Sequence, residues 1–315
     1  MITTLTPNPA LDKTARVERM KANALNRLFD VTVDAGGKGV NVSAMIKALG
    51  GESLTTGFVG GGAGDEFLSL VGKKGIEGDF VKVRGTTRTN LKVVDADGNL
   101  TELNEPGPDI APAEWEEMTK KLVSRAKPGN WFSLSGSLPR GLGKDTYRKL
   151  CALLRKGGAK VFLDCDGESF RLALEAPPDE APHYVKPNTH ELLEYFGKDA
   201  GKTPPETELA EMCRELLGKG LELVVLSMGG DGAMFVSKDA AYRAPALKIE
   251  VKSSVGAGDS MIGALLHAFE KRLDPEDAYK LSMASSAGAC ATPGTNPPDK
   301  SAVEALLKET RLAKL

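Results

Sequence analysis

Length, composition and charge are those of an ordinary globular protein. The chain has 315 residues, of which 41% are hydrophobic and 27% are charged, values close to those of soluble globular domains. Its formal net charge of −2 excludes a general attraction to nucleic acid or to an anionic membrane, so any anion must be bound by a local basic cluster. The length fits one large α/β domain with a small appendage.

The cysteines and the N-terminus indicate a reducing compartment. Cys151, Cys165, Cys213 and Cys290 are far apart and form no CxxC pair, so they predict neither a zinc site nor a disulfide framework. The chain begins with a β-like run at residues 2–6, without a basic segment and an apolar region after it, and no 18-residue apolar stretch follows. We therefore expect a cytoplasmic protein with no membrane or nucleic-acid partner.

The order of apolar segments along the chain predicts an α/β fold. After the first strand, a glycine-rich loop at residues 34–39 precedes apolar residues at helical spacing, which predict a helix up to residue 49. Short apolar runs at residues 55–59, 131–134, 161–164 and 223–227 then alternate with amphipathic segments such as 67–74 and 146–156. This alternation is typical of βαβ units and predicts a doubly wound, mostly parallel sheet flanked by helices.

Two stretches interrupt this alternation, at residues 16–33 and 89–104. In the second, Asp97-Gly98 predicts a hairpin turn between two β-rich arms. We assign a small β-sheet lid to about residues 12–34 and 88–105 of a single domain that spans residues 1–315. The last third of the chain predicts helices over residues 257–271, 275–291 and 300–312.

The segment at residues 253–260, Ser-Ser-Val-Gly-Ala-Gly-Asp-Ser, runs directly into an apolar helix. Gly256 and Gly258 let the backbone approach a ligand, and the free N–H groups at the helix start can surround a phosphoryl oxygen. Asp259, in the first turn, is placed to accept a proton from a hydroxyl beside the phosphate being transferred. Taken alone, such an aspartate more often caps an ordinary helix, so its assignment depends on the rest of the sequence.

Together with the GGKGVNVS segment at residues 36–43, this loop resembles the paired signatures of the ribokinase-like (pfkB) carbohydrate kinases. Further segments follow the order of that family along nearly the whole chain: TPNPALD at 6–12, TRTN at 87–90, ELNEPGP at 102–108, SGSLP at 135–139 and KPNTHE at 186–191. They are most similar to the branch of 1-phosphofructokinase and tagatose-6-phosphate kinase, which act on phosphorylated ketohexoses. The resemblance implies a ribokinase-like fold, ATP and Mg²⁺ as cofactors, and a homodimer formed through the lid.

The resemblance also implies roles for individual residues. Asp259 is expected to be the catalytic base, and the amides of Gly256, Ala257 and Gly258 are expected to form an anion hole. Lys38, Arg27 and Arg88 are expected to form a cationic pocket for the phosphate of the substrate. The full set of expected substrate-binding residues is Asp12, Arg27, Gly37, Lys38, Asn41, Arg88, Asn90 and Ser137.

On the nucleotide side, Asn188 and Glu191 match an N-x-x-E segment that in the family orders Mg²⁺ and its waters, with Glu191 acting through water. Residues 287–294 resemble the segment near the adenine. One departure is Ser253, where the family usually has Asp or Asn, which leaves monovalent-cation binding open. The residues expected to bind ATP are Lys186, Asn188, Ser227, Gly229, Gly232 and Gly258.

The sequence thus favours ATP-dependent phosphorylation of a ketohexose phosphate, with fructose 1-phosphate as the preferred acceptor and fructose 1,6-bisphosphate as the product. Tagatose-6-phosphate kinase and 6-phosphofructokinase are the enzyme alternatives. A sugar-phosphate-binding sensor is the non-enzyme alternative, but a sensor has no need for an intact Gly-Ala-Gly-Asp segment. A dinucleotide-binding oxidoreductase would need GxGxxG after the first strand, where this chain is Pro-rich instead.

Overall fold

A computed structural model, which describes all of residues 1–315, contains a large sheet of eleven strands and a small sheet of four. The strands are β1 (Ile2–Thr6), β2 (Ala10–Arg16), β3 (Phe29–Gly36), β4 (Ser53–Val59), β5 (Glu77–Gly78), β6 (Val81–Lys82), β7 (Arg88–Val94), β8 (Leu100–Asn104), β9 (Trp131–Ser135), β10 (Lys160–Asp164), β11 (Tyr184–Val185), β12 (Leu223–Ser227), β13 (Ala233–Ser237), β14 (Ala241–Ala244) and β15 (Ala313–Lys314). The helices are α1 (Lys38–Ala48), α2 (Gly61–Lys73), α3 (Pro112–Arg125), α4 (Thr146–Lys156), α5 (Gly167–Leu174), α6 (Thr189–Tyr195), α7 (Glu206–Leu217), α8 (Ala257–Glu270), α9 (Pro275–Cys290) and α10 (Lys300–Glu309).

The large sheet is parallel over most of its width and antiparallel at one edge. Its strand order is β15-β14-β13-β12-β11-β10-β9-β1-β4-β5, and β6 also pairs with β4. The pairs from β4 through β1, β9, β10 and β11 to β12 are parallel, whereas the pairs from β12 to β15 are antiparallel. The predicted α/β fold, a mostly parallel sheet flanked by helices with a small separate sheet, is confirmed.

Hydrophobic clusters on both faces of the large sheet hold the helices in place, since successive residues of a strand point to opposite faces. In β10, Val161 and Leu163 belong to one cluster together with Leu150 of α4. Phe162, between them, belongs to a second cluster with Leu265 of α8. Because both faces are covered, the central strands read as continuous apolar runs in the sequence.

Helices α1 and α8 pack closely against each other on one face of the large sheet. A side-chain carbon at Gly263 of α8 would lie 2.7 Å from the carbonyl oxygen of Val42 and 2.8 Å from Cβ of Met45, so only glycine permits this approach. The close packing places the first turns of both helices side by side. Asn41 of α1 consequently donates a hydrogen bond to Asp259 of α8.

The small sheet has the order β3-β2-β7-β8. Strands β7 and β8 form an antiparallel hairpin, in which Gly98 has a φ of 83° and the Asp95 carboxylate accepts the N–H groups of Asp97 and Asn99. Residues 17–28 contain no strand, so the stretch predicted as β from residue 16 becomes regular only at Phe29.

The last third of the chain is less helical than predicted. The three predicted helices are present as α8, α9 and α10, although α10 ends earlier, at Glu309. The hairpin of β13 and β14 was missed because periodicity cannot assign short apolar runs to one type of element.

No helix of the fold combines the length and the apolar character that crossing a bilayer requires. The four cysteines form no disulfide.

Candidate active site

A polar cavity of about 510 Å³ lies at the carboxyl ends of the central parallel strands. Thr6 ends β1, Asp164 ends β10 and Ser227 ends β12, and all three line this cavity. The first turns of α1 and α8 add Lys38 and Gly258. In open α/β sheets, ligands bind in the crevice outside the carboxyl ends of the strands. The fold therefore points to this cavity as the reaction site.

Asp259 is a buried carboxylate at the start of α8 that borders the cavity. The amide nitrogen of Asn41 donates a hydrogen bond of 2.8 Å to its Oδ2 atom. Burial, with the negative charge of Asp164, raises the pKa of Asp259 to about 6, although the Asn41 hydrogen bond and the charges of Lys38 and Lys186 oppose this rise. A carboxylate with this pKa is ionised at neutral pH and is a stronger base than an exposed aspartate, as a general base requires.

A second buried carboxylate, Asp164, lies between two lysines on the floor of the cavity. Its Oδ2 atom is 3.2 Å from Nζ of Lys38 and its Oδ1 atom is 3.5 Å from Nζ of Lys186. Burial by itself would raise the pKa of Asp164, but Lys186 and Lys38 outweigh it and lower the pKa. Burial likewise opposes the charge of Lys38, yet Asp164 and Asp259 raise the pKa of that lysine. Asp164 and Lys38 are therefore both charged.

Arg88, the first residue of β7, lines the opposite side of the cavity. Its Nε atom donates to the carbonyl of Asn8 at 3.2 Å, and its Nη1 atom donates to the carbonyl of Glu105 at 3.3 Å. Burial lowers the pKa of Arg88, while the charge of Asp12 opposes that change. The guanidinium is thus fixed by backbone carbonyls and stays a cation at neutral pH, because the usual pKa of arginine is above 12.

Asp12 extends into the same cavity from β2 of the small sheet. Its Oδ1 atom accepts a hydrogen bond of 3.0 Å from the amide of Asn90, and its Oδ2 atom lies 3.7 Å from Nζ of Lys92. A side chain at Gly36 would overlap the Asp12 carboxylate, so the small sheet needs a glycine at that position. The carboxylate is fixed by neighbours on its own sheet and retains lone pairs that can accept sugar hydroxyls.

The structure does not bring Arg27 to this cavity. It is exposed, in the irregular stretch between β2 and β3, and the predicted cluster of Arg27 with Lys38 and Arg88 is not formed within the chain. Lys38 is instead paired with Asp164 on the floor of the cavity. The other expected substrate-binding residues all line the cavity, namely Asp12, Gly37, Lys38, Asn41, Arg88, Asn90 and Ser137.

A second, mostly apolar cavity of about 460 Å³ adjoins the first. The two cavities share Asn188, Ser227 and Gly258 in their walls. Of the residues expected to bind ATP, Lys186 lines only the polar cavity, while the others line the apolar one, namely Asn188, Ser227, Gly229, Gly232 and Gly258. Its apolar wall also includes Ala287 and Cys290, from the segment expected near the adenine. The pair of cavities has room for a base on the apolar side and phosphates on the polar side.

Asn188 and Glu191 form a reciprocal cap at the start of α6. The Asn188 side chain accepts the Glu191 N–H at 2.8 Å, and the Glu191 carboxylate accepts the Asn188 N–H at 2.8 Å. The Oε1 atom of Glu191 has no protein partner, and both residues border the polar cavity. No group of three or more acidic, His or Cys side chains is arranged to hold a metal. This donor set fits a Mg²⁺ ion bound through water and nucleotide phosphates better than one enclosed by protein ligands.

Comparison with known proteins agrees with this geometry. A family model described as pfkB family carbohydrate kinase matches residues 7–302, which is most of the chain. The chain belongs to the pfkB family of carbohydrate kinases. Residues 7–302 include the small sheet, the Gly-Ala-Gly-Asp segment, the lining of the apolar cavity and that of the polar cavity except for Thr6. The chain is therefore a carbohydrate kinase.

Similar proteins of the pfkB family include several 1-phosphofructokinases. That of Rhodobacter capsulatus is 37% identical over 310 residues, which cover 98% of this chain and 96% of the relative. That of Borreliella burgdorferi is 35% identical and covers 90% of each chain. Among solved structures, phosphofructokinase-2 from Escherichia coli in complex with potassium has a TM-score of 0.91 at 26% identity, with 98% of each chain covered. A phosphofructokinase from Staphylococcus aureus has a TM-score of 0.86 at 28% identity, with 100% of this chain and 99% of that chain covered.

Several residues that line this pfkB-family site were not predicted from the sequence. Asp164 is the most important, because its charge acts on Lys38 and on Asp259. A signal was available, since Asp164 directly follows the apolar run at residues 161–163 and therefore lies where a parallel strand ends. Thr6 and Asn8 are buried residues of the cavity wall that were also missed. Thr6 ends β1 and Asn8 closely follows it, so the same signal was available for both.

Proposed function

We propose that this chain is an ATP-dependent 1-phosphofructokinase, which converts fructose 1-phosphate to fructose 1,6-bisphosphate. The observation that carries the proposal is that one cavity contains a buried base, Asp259, together with two cations, Lys38 and Arg88. An acceptor that carries its own phosphate uses both features, whereas a free sugar would leave Arg88 without an anion, since Lys38 already contacts Asp164. The choice of fructose 1-phosphate rests on the 1-phosphofructokinases that are 31% to 37% identical to this chain.

In the proposed mechanism, Asp259 accepts the proton of the acceptor hydroxyl. As the proton leaves, the hydroxyl oxygen forms a bond to the γ-phosphorus of ATP, and the bond from that phosphorus to the β-phosphate oxygen breaks to give ADP. Asn41 occupies Oδ2 of Asp259 and orients the carboxylate, which leaves Oδ1 for the hydroxyl. The raised pKa of Asp259 supports this role, because it increases the affinity of the carboxylate for the proton.

The first turn of α8 and the lysines are proposed to bind the phosphates. Gly256 has a φ of 82°, and the N–H groups of Gly256, Ala257 and Gly258 precede or begin the helix, where N–H groups have no intrahelical partner. These amides would stabilise the transferring phosphoryl group. Lys186, close to Gly258, would contact the nucleotide phosphates, and Arg88 would contact the phosphate of the acceptor.

Asn188 and Glu191 are proposed to hold Mg²⁺ and its waters beside the nucleotide. When bound, the ion would reduce the negative charge on the phosphates of ATP. The protein contributes to this site through the fixed cap of α6, which orients the Glu191 carboxylate toward the polar cavity before the nucleotide arrives. We therefore expect that activity requires a divalent cation, which binds together with the nucleotide.

A second candidate function is 6-phosphofructokinase. Phosphofructokinase-2 from Escherichia coli in complex with fructose-6-phosphate has a TM-score of 0.89 to this chain at 25% identity. The two functions differ in which end of the sugar carries the phosphate that Arg88 would bind. Tagatose 6-phosphate, the substrate of tagatose-6-phosphate kinase, would occupy the same cavity and differs in the configuration of one hydroxyl. Sequence identity to the 1-phosphofructokinases is higher, which favours fructose 1-phosphate.

The deciding experiment is a coupled ADP-release assay on the purified protein with four acceptors: fructose 1-phosphate, fructose 6-phosphate, tagatose 6-phosphate and free fructose. We expect the highest kcat/KM with fructose 1-phosphate and weak turnover of free fructose. A tenfold preference for either 6-phosphate would replace the proposed substrate. The absence of ADP release with all four acceptors, with binding retained, would support a sensor.

We also propose that the protein is cytoplasmic and that two copies associate through the small sheet, which would form a lid over the polar cavity. Apolar side chains on this sheet are exposed, with fractions of 45% for Phe29, 46% for Val31 and 54% for Leu103. Exposed apolar surface is typical of protein interfaces. Size-exclusion chromatography with light scattering tests the proposal: Phe29→Asp with Leu103→Asp should convert a dimer to a monomer.

A further inference from the structure

The loop after β8 contributes a backbone contact to the cavity. Glu105 follows directly on β8, and its carbonyl accepts a hydrogen bond from Nη1 of Arg88 at 3.3 Å. Its carboxylate accepts the N–H of Thr89 at 2.9 Å, and its own N–H donates to the Thr89 carbonyl at 3.2 Å. Glu105 is therefore tied to the start of β7 at three points, one of which is the guanidinium of Arg88.

Asn8 joins this loop to the first strand of the large sheet. Its backbone carbonyl accepts the Nε atom of Arg88 at 3.2 Å, and its side-chain amide donates to the carbonyl of Pro106 at 3.1 Å. Asn8 is 4% exposed, so the amide has little access to water as an alternative partner. Asn8 thus contacts Arg88 directly and also holds the residue next to the second carbonyl that Arg88 uses.

Gly107 allows this contact. It has a φ of 85°, which favours glycine, and a side-chain carbon at this position would overlap Oδ1 of Asn8. The close approach of Gly107 to Asn8 keeps the loop against the first strand. Any larger residue at position 107 must displace either the loop or the Asn8 side chain.

We infer that Asn8 and the loop of residues 105–107 are a positioning device for Arg88, which sets the guanidinium for the non-reacting phosphate of the acceptor before that phosphate arrives. The inference rests on the proposed function, which assigns this phosphate to Arg88. Asn8 does not contact the reacting atoms in this account. It acts through Arg88 and is therefore a positioning residue.

The use of the Arg88 nitrogens supports this inference. Two of the three, Nε and Nη1, are bound to backbone carbonyls, while Nη2 has no protein partner and the side chain lines the cavity. Neutral carbonyls orient the guanidinium without neutralising its charge. A long arginine side chain that is ordered before binding loses less conformational entropy when the anion binds. The device consequently improves affinity for the acceptor and has no reason to affect ATP.

The test is a double-mutant cycle with Arg88→Ala. Asn8→Ala removes the contact to Pro106, and Gly107→Ala disturbs the packing of the loop against Asn8 while the Asn8 amide itself is kept. Because one neutral hydrogen bond is involved, each should raise the KM for fructose 1-phosphate about 2- to 10-fold and leave the KM for ATP unchanged. In the Arg88→Ala background, the same substitutions should change the KM for fructose 1-phosphate less than about 2-fold, since the group that they position is gone.

A matched control is Asn130→Ala. Asn130 also donates its side-chain amide to a backbone carbonyl, that of Arg125, at 2.8 Å, but it precedes β9 at the end of the sheet opposite the cavity. This variant should leave both KM values unchanged. If Asn8→Ala does not fold, as judged by thermal melting, Gly107→Ala carries the cycle by itself.

The outcomes separate the inference from the proposed function. If Arg88→Ala raises the KM for fructose 1-phosphate but Asn8→Ala and Gly107→Ala keep their full effect in its background, the positioning role is wrong and the phosphate assignment stands. A parallel rise in the KM for ATP also overturns the positioning role. If Arg88→Ala leaves the KM for every sugar phosphate unchanged, the phosphate assignment is wrong and the inference is overturned with it.

Discussion

The floor of the polar cavity and the small sheet beside it hold their cations in opposite ways. On the floor, Lys38 and Lys186 both contact the buried carboxylate of Asp164, so the protein itself compensates much of their charge. On the small-sheet side, Arg88 is held by two backbone carbonyls, which fix its position and leave its charge available. Neutral groups that fix a cation leave its charge free for an incoming anion, as at Arg88. A carboxylate between two lysines instead stabilises the folded site itself, as at Asp164.

The largest effect is expected on the floor, at Asp259. The variant Asp259→Asn keeps the size of the side chain and removes its ability to accept a proton, so kcat should fall about 10²- to 10⁴-fold while the KM for ATP is nearly unchanged. Steady-state kinetics with the preferred acceptor measures this.

Asp274→Asn is the matched control, because Asp274 stands at the start of α9 and only precedes a helix. Its kcat should equal that of the unmodified protein. Retention of more than half of kcat by folded Asp259→Asn would exclude this residue as the base and direct attention to Asp12.

The next effect compares the two cations directly. A charge-assisted hydrogen bond contributes roughly 1.5–3 kcal/mol, so Arg88→Ala and Lys38→Ala should each lower kcat/KM for the sugar phosphate about 10- to 150-fold. Only Lys38→Ala should also lower the melting temperature, because it leaves the buried Asp164 with one cation fewer. Kinetics and differential scanning calorimetry separate the two variants.

Free fructose is the control acceptor for these variants. It has no phosphate, so its weak turnover should be insensitive to Arg88→Ala. If either variant raised the KM for ATP and spared that of the sugar phosphate, the corresponding cation would belong to the nucleotide side of the cavity.

A smaller effect is expected in the pH profile. Burial and the charge of Asp164 raise the pKa of Asp259 to about 6, and the base must be ionised, so kcat/KM should fall as the pH decreases through about 6. Asp164→Asn removes a negative charge and should shift this acidic limb to lower pH. The kcat/KM of both proteins between pH 4.5 and 8 provides the measurement; a limb that stays in place or moves to higher pH contradicts the assignment.

The smallest effect is expected for Arg27. It is exposed and outside the cavity, so Arg27→Ala should change kcat/KM for fructose 1-phosphate less than about 2-fold, the range of ordinary surface substitutions. This prediction tests the correction of the basic cluster that the sequence suggested. A tenfold loss would return Arg27 to the phosphate site.

Local patterns made part of the fold and of the site predictable. The glycine loops before α1 and α8 are contiguous in sequence, so the positions of Lys38, Asn41 and Asp259 at helix starts could be expected without knowledge of the fold. Asn188 and Glu191 are three residues apart, and the spacing itself predicts their reciprocal cap. The alternation of strands and helices predicted the sheet for the same reason.

Contacts between distant segments were not predictable in this way. Asp164 and Lys38 are 126 positions apart in the sequence, and they meet only because β10 ends, and α1 begins, at the same edge of the sheet. Arg27 was grouped with Lys38 and Arg88 by charge and family position, whereas within this chain it is exposed, in the irregular stretch at residues 17–28, and does not line the cavity. The positive charge of these residues did not by itself predict where they lie in the fold.

The shared wall of the two cavities has a consequence for inhibitor design. Asn188, Ser227 and Gly258 border both the polar and the apolar cavity, so the two cavities lie side by side. A single compound that joins an adenosine to a sugar phosphate through a short linker could therefore occupy both at once. Tethering would make the second binding event intramolecular, and avidity of this kind commonly exceeds that of either half by 10²- to about 10⁴-fold. Such a compound would compete with both substrates.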